Sequence, residues 1–222
     1  MTISTLPINR LLLRLSLLAL LALTTLAAAP AATQAAPMAG MPLCNGVPAT
    51  IVGAGSIQGT SGSDVIVGSG GADTINGGGG AFDLICGGGG NDRISAGAGD
   101  DVIFGDAGDD IISGGDGNDG IHGDEAGSLI DSIAAGNDTL SGGAGDDSVF
   151  GQSGNDTISG GPGDDGVFGG VGSDSVKGGD GNDFVDGDFG AAVAGTDRLD
   201  GGRGTDTCVH GESVRRCESV PF

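Results

Sequence analysis

GGAGDDSVF occupies residues 142–150, and GQSGNDTIS (151–159), GGPGDDGVF (160–168) and GGVGSDSVK (169–177) follow it without a gap. Each block opens on glycine, carries an aspartate at its sixth place and an aliphatic residue at its eighth. A glycine-rich linker has no need of an apolar residue two places after every aspartate. Extending the frame in both directions gives fifteen units from Gly59 to Val209. Their sixth-place residues are Asp64, Asp73, Asp83, Asp92, Asp101, Asp110, Asp119, Asp138, Asp147, Asp156, Asp165, Asp174, Asp183, Asp197 and Asp206. The eighth place runs Ile66, Ile75, Ile85, Ile94 and onward to Leu199 and Cys208.

Each place in the unit has a physical task. The triplet around the eighth residue (TIS, VIF, SVF) is rich in β-branched and aromatic residues and suits a very short strand. Its middle side chain points one way and its neighbours the other. The six residues before it form a turn, in which glycine supplies backbone conformations closed to other residues and aspartate supplies a carboxylate. Strands and turns of one length, alternating, predict a flattened solenoid. Successive units then fall alternately into two parallel sheets, with the eighth-place residues meeting between them. The expected fold is all-β, a right-handed parallel β-roll.

GGDGNDFVD (178–186), GGAGDDSVF and GDAGDDIIS (105–113) resemble the nonapeptide of the RTX, or haemolysin-type calcium-binding, family. A single such block is weak evidence; about 150 residues in one frame are strong. The resemblance implies calcium ions held between successive turns by sixth-place aspartates and glycine carbonyls. Carried onto this chain, the ligands are all fifteen sixth-place aspartates: Asp92, Asp101, Asp110, Asp119, Asp147, Asp156, Asp165, Asp174, Asp183 and Asp206 in regular turns, and Asp64, Asp73, Asp83, Asp138 and Asp197 in turns that depart from the pattern. Asp64 and Asp73 stand apart because GTSGSD (59–64) and GSGGAD (68–73) lack the double glycine, and Asp83, Asp138 and Asp197 because their turns are interrupted. The chemistry agrees with the resemblance. Stacking the units places like charges over one another without a positive partner. Calcium takes six to eight hard oxygen ligands in flexible geometry, whereas magnesium demands a tighter octahedron. Zinc or copper would call for His or Cys, and the chain has two His and four Cys. The resulting expectation is a chain that is an expanded polyanion without calcium and folds on binding it.

The chain divides into an export leader (1–36), a lead-in and cap (37–58), the repeats (59–209) and a C-terminal cap (210–222). The leader reading rests on Arg10 and Arg14 followed by LSLLALLALTTLAAA and small residues, with cleavage between about 29 and 36. A membrane anchor is the alternative, disfavoured because the apolar run is short and fades into Ala, Thr and Pro. Export predicts a secreted, extracellular product, for which four cysteines are suited. Twelve units, or six two-unit coils of about 4.8 Å, place Cys86 and Cys208 roughly 29 Å apart, far beyond disulfide reach. The pairs expected are Cys44–Cys86 and Cys208–Cys217, one tying each end.

The net charge of −22 excludes nucleic acid and anionic membrane as partners, and stable membrane insertion is not expected. Enzymatic activity is not expected either. No H-E-x-x-H occurs, and GTSGSD and GQSGND match a nucleophile elbow only loosely, inside repeats. His122, at an outward ninth place, and His210, in the C-terminal cap, read as surface residues. The rival reading is a calcium-stabilised structural or adhesive surface protein. The long insertions fall in the eighth and fourteenth units, on one edge of the roll about 14 Å apart by the coil spacing. Leu129, Ile130 and Ile133 in one, and Phe189 and Val193 in the other, would then form a single apolar patch able to bind an unknown protein or surface.

Overall fold

The computed structural model describes residues 41–124, 136–189 and 195–217. Among them no residue is helical. The chain alternates between two nine-stranded parallel sheets. One contains β3 (Ile51–Val52), β5 (Val65–Ser69), β7 (Leu84–Gly89), β9 (Val102–Ala107), β11 (Gly120–His122), β13 (Ser148–Ser153), β15 (Gly166–Val171), β17 (Phe184–Asp186) and β19 (Thr207–Val209). The other contains β4 (Ser56–Gln58), β6 (Thr74–Asn76), β8 (Arg93–Ala98), β10 (Ile111–Asp116), β12 (Thr139–Ala144), β14 (Thr157–Pro162), β16 (Ser175–Asp180), β18 (Arg198–Arg203) and β20 (Ser213–Arg215). Every strand pairs with the one two places on, so each coil of the solenoid stacks on its predecessor. The parallel β-roll expected from the repeat is the fold.

Register follows the eighth place. Ile66 stands over Ile85, Ile103, Ile121, Val149, Val167, Val185 and Cys208 in the first sheet. Ile75 stands over Ile94, Ile112, Leu140, Ile158, Val176 and Leu199 in the second. The two columns meet as one dry core. Because side chains alternate with period two, a slip of one residue would turn every member of a column outward, and this fixes the frame. The roll also takes in residues beyond the fifteen units. Ile51 and Ile57 extend the columns at one end, and Val214 at the other.

The outer faces differ. The second sheet presents mostly Thr, Ser, Asn, Arg and Lys to solvent. The first carries an aromatic column in which Phe104, His122, Phe150 and Phe168 stack nearly parallel, with centroids 4.7–5.0 Å apart. His122 is therefore not the plain surface residue its outward place suggests: it is a half-buried ring between two phenyl groups, and desolvation pulls its pKa down to about 4. Upstream, the hairpin of β1 (Leu43–Cys44) and β2 (Val47–Pro48) lies across the same face. It packs Cys44 and Val47 with Val65, Val67, Phe82, Leu84, Cys86 and Phe104 into a second apolar cluster. The Cys44–Cys86 disulfide staples it there, and Cys208–Cys217 ties the other end, with Cα separations of 5.6 and 5.8 Å.

Candidate metal centre

The turns that link the sheets form two edges, and each sixth-place aspartate points into the roll at one of them. All fifteen are buried. One carboxylate oxygen is used structurally: from Asp83 onward, Oδ1 of each aspartate accepts the backbone N–H of the aspartate one coil earlier, at 2.8–3.0 Å. Two continuous ladders result. Asp64, Asp83, Asp101, Asp119, Asp147, Asp165, Asp183 and Asp206 make one, and Asp73, Asp92, Asp110, Asp138, Asp156, Asp174 and Asp197 the other.

The second oxygen is the informative one. From Asp83 through Asp197, every Oδ2 is buried without a hydrogen-bond partner. Unpaired buried anionic oxygens are costly, and a row of them requires a cation. Burial is the main force on these carboxyls, raising them against the opposing pull of the ladder N–H, and neighbouring aspartates raise most of them further. Asp92, Asp101, Asp119, Asp165, Asp174 and Asp183 are pushed up to about 6, Asp147 and Asp156 to about 7, and Asp110 and Asp138 to about 8.

Space and further donors stand beside these orphan oxygens, except in the unit of Asp101, whose first place is Ala96. A Cβ built on Gly87, the first residue of its unit, would lie 2.5 Å from Asp92 Oδ2 and 2.7 Å from the carbonyl oxygen of Gly105, one coil on. The first-place glycine thus leaves open a cradle bounded by a carboxylate and a main-chain carbonyl. Among the described residues no three His, Cys, Asp or Glu side chains gather as a metal cluster. Each site is one carboxylate plus carbonyls, a hard-oxygen set that fits calcium and not zinc.

The family model of the RTX calcium-binding nonapeptide repeat matches residues 52–81, 87–121, 134–167, 159–193 and 194–212. The chain belongs to the RTX calcium-binding repeat family. RTX nonapeptide repeats bind multiple Ca²⁺ ions, and the buried Oδ2 atoms of this roll are hard oxygen donors without a hydrogen-bond partner. No match is found among curated proteins.

The RTX frame lets the five aspartates set apart in the sequence be sorted by geometry. Asp64 Oδ2 accepts the Thr60 N–H at 2.7 Å and the Thr60 hydroxyl at 2.9 Å. Asp73 Oδ2 accepts the Ser69 N–H and hydroxyl at the same two distances, and its Oδ1 takes the Gly55 N–H. For Asp73, burial is outweighed by these bonds and the pKa falls. In both turns a second-place hydroxyl does for the carboxylate what a cation would do further on. Asp83, Asp138 and Asp197, in contrast, have the same orphan Oδ2 as the regular units, so the interruptions do not disturb the aspartate itself.

Three features escape the repeat reading. The fifth place forms ladders of its own. Asp146 Oδ1 accepts the Asp164 N–H at 2.9 Å, and Asp164 Oδ1 the Asn182 N–H at 2.8 Å. The other edge runs through Asp109, Asn137 and Asn155. These bonds point from the later coil to the earlier one, opposite to the sixth-place ladders. Glu212 continues a sixth-place ladder past Asp197, whose N–H it accepts at 2.6 Å. Asp124, at the start of the first long insertion, is buried and accepts the N–H groups of Gly136 (3.2 Å) and Ser153 (3.0 Å), clasping the base of that insertion. Of the five apolar insertion residues, Leu129, Ile130, Ile133 and Val193 lie outside the described residues. Phe189 tilts over Phe150 and Phe168 on the outer face of the first sheet.

Proposed function

We propose that this RTX chain is an extracellular calcium-binding protein whose roll, at neutral pH and above, forms only with its ions bound, and that it acts by binding and not by catalysis. The observation that carries the reading is the row of buried, unpartnered Oδ2 atoms. The ligands are Asp92, Asp101, Asp110, Asp119, Asp147, Asp156, Asp165, Asp174, Asp183 and Asp206, joined by Asp83, Asp138 and Asp197, with turn carbonyls completing each shell. Bound calcium supplies the positive charge that the stacked carboxylates lack. The side chains do the rest: Oδ1 holds the previous coil, and Oδ2 is presented to the ion. Since the unfolded chain has no such cradles, binding free energy becomes folding free energy.

Two disulfides suit an oxidising, extracellular setting, and the Arg10/Arg14 leader supports export. A role in binding a partner through the apolar insertions has less behind it, since Phe189 leans on its own sheet. The test is circular dichroism during a calcium titration of the disulfide-intact protein, followed by chelator. The β-signal is expected to rise cooperatively with calcium and collapse on chelation. A spectrum unchanged by chelator overturns the coupling of folding to calcium.

A further inference from the structure

The last turn on the second ladder's edge departs from the repeat, and the departures converge. In the fourteenth unit the second place is Asp188 instead of glycine, and the third place is replaced by residues 189–194. The following coil has no full turn: His210, Gly211 and Glu212 lead directly into β20. Asp197 is therefore deprived of the carbonyl-rich neighbouring loop that every earlier aspartate has. Its Oδ2 is nevertheless fully buried and unpartnered. A Cβ on Gly187 would lie 2.6 Å from that oxygen and would also meet the His210 carbonyl, so the open cradle persists. Burial raises the Asp197 carboxyl, and the nearby Asp188 and Glu212 carboxylates raise it further.

The surroundings hold this arrangement in place. Asp186, buried on the outer face where the aromatic column ends, accepts the Asp188 N–H at 3.3 Å and meets His210 Nδ1 at 2.8 Å. It thus fixes both the backbone that carries Asp188 and the residue whose carbonyl bounds the cradle. Asp188 Oδ1 accepts the Gly195 N–H at 3.3 Å, closing the base of the insertion. Glu212 takes the Asp197 N–H, the bond a following aspartate makes elsewhere.

We propose that Asp188 and Asp197 form a two-carboxylate calcium site that terminates the array, with the Asp188 carboxylate replacing the carbonyls of the missing next turn. The inference rests on the calcium-binding reading above and adds to it a ligand outside the nonapeptide pattern. Two carboxylates on one ion make this a more strongly charged site than the single-carboxylate sites before it, placed where the solenoid would otherwise fray.

Native mass spectrometry of the calcium-loaded protein, which resolves single ions on a 21.2 kDa chain, tests it. Asp188→Asn is expected to hold one ion fewer than the parent, and Asp197→Asn likewise. Asp188→Glu is expected to restore the count, and Asp146→Asn, at an exposed fifth place, to keep it. If Asp197→Asn loses an ion while Asp188→Asn does not, the two-carboxylate site is wrong and the general reading stands. If neither loses one, the reading of sixth-place aspartates as ligands fails at this turn as well. Should Asp188→Asn be poorly folded, the Asp188→Glu count decides: a restored ion supports the ligand role, and a missing ion with a folded spectrum overturns it.

Discussion

Protons should partly replace calcium in this roll, and the structure gives the sign and the scale. Ten sixth-place aspartates are held at about 6, 7 or 8 in the metal-free roll, against roughly 3.9 in an unfolded chain. A folded-state value raised above the unfolded one contributes stability that is fully present below the unfolded pKa. That stability is lost as pH rises through the folded values. At pH 7 the folded, metal-free roll binds on the order of three protons more than the unfolded chain, and at pH 6 on the order of seven. At about 1.36 kcal/mol per proton per pH unit, acidifying from pH 8 to pH 6 stabilises the metal-free roll by on the order of 5–10 kcal/mol, after allowing for screening at the edges. In chelator, the β-signal should therefore be absent near pH 8 and grow as pH falls toward 5. Calcium must displace the same protons. Calorimetry in two buffers of different ionisation enthalpy should thus report proton release on calcium loading at pH 6, up to on the order of seven where the metal-free roll is folded, and close to none at pH 7.5, where loading starts from the unfolded chain. A release that is the same at both pH values, or a metal-free β-signal that strengthens with rising pH, would refute the assignment of the buried carboxyls as the groups calcium neutralises.

Further predictions separate the metal-dependent parts of the roll from the rest. Asp147→Asn should remove one ion by native mass spectrometry and lower the Tm of the calcium-loaded protein, whereas Asp64→Asn, at a carboxylate that already accepts the Thr60 N–H and hydroxyl, should leave the ion count unchanged. Opening Cys44–Cys86, which spans 42 residues, should cost about 4 kcal/mol on the loop-entropy estimate, and opening Cys208–Cys217, which spans 9, about 2.6 kcal/mol; calcium-dependent denaturant melts of the paired Cys→Ser variants check the order. Gly115→Asn should destabilise the loaded roll by at least about 1–3 kcal/mol, because φ is +125° there and a Cβ would collide with the Gly97 carbonyl; Asp106→Gly, at the equivalent place on the opposite edge, should cost far less in the same melt.

How far the sequence carries is visible in individual residues. The eighth-place columns and the two disulfides are legible because each follows from one period and one geometry: a residue every ninth place facing inward, and cysteines too far apart to pair otherwise. The sixth-place ladder is only half legible. Period nine identifies the aspartates, but the division of labour between Oδ1 and Oδ2 depends on the coil above, which no local pattern contains. His122 shows a related limit. Its ninth place gives the outward direction, yet whether an outward face is wet depends on Phe104 and Phe150, eighteen and twenty-eight residues away in the chain. Asp188 and Glu212 lie in the irregular stretches that a repeat frame discards. A signal was available: an acid two places before an apolar residue in ESV (212–214) repeats the spacing of the aspartates, without the glycines.

The second place of the turn shows why irregularity collects on one edge. On the regular edge it is glycine from Gly78 to Gly202, with φ between +115° and +145° and a Cβ position occupied by the carbonyl one coil earlier. No side chain is compatible with that backbone. On the other edge Asp106 and Gln152 fill the same place at φ of 72° and 79°, close to the left-handed region that Asn and Asp tolerate. Each of the two side chains then recovers a hydrogen bond to a neighbouring coil, Asp106 from the Gly88 N–H and Gln152 from the Asp124 N–H. An edge whose second place accepts a polar side chain can start a turn without the double glycine, and both long insertions begin at such a place, after Asp124 and Asp188. The additional carboxylates and the interruptions thus share one place, the second of the turn on this edge, and they meet beside Asp197, where the array runs out of turns.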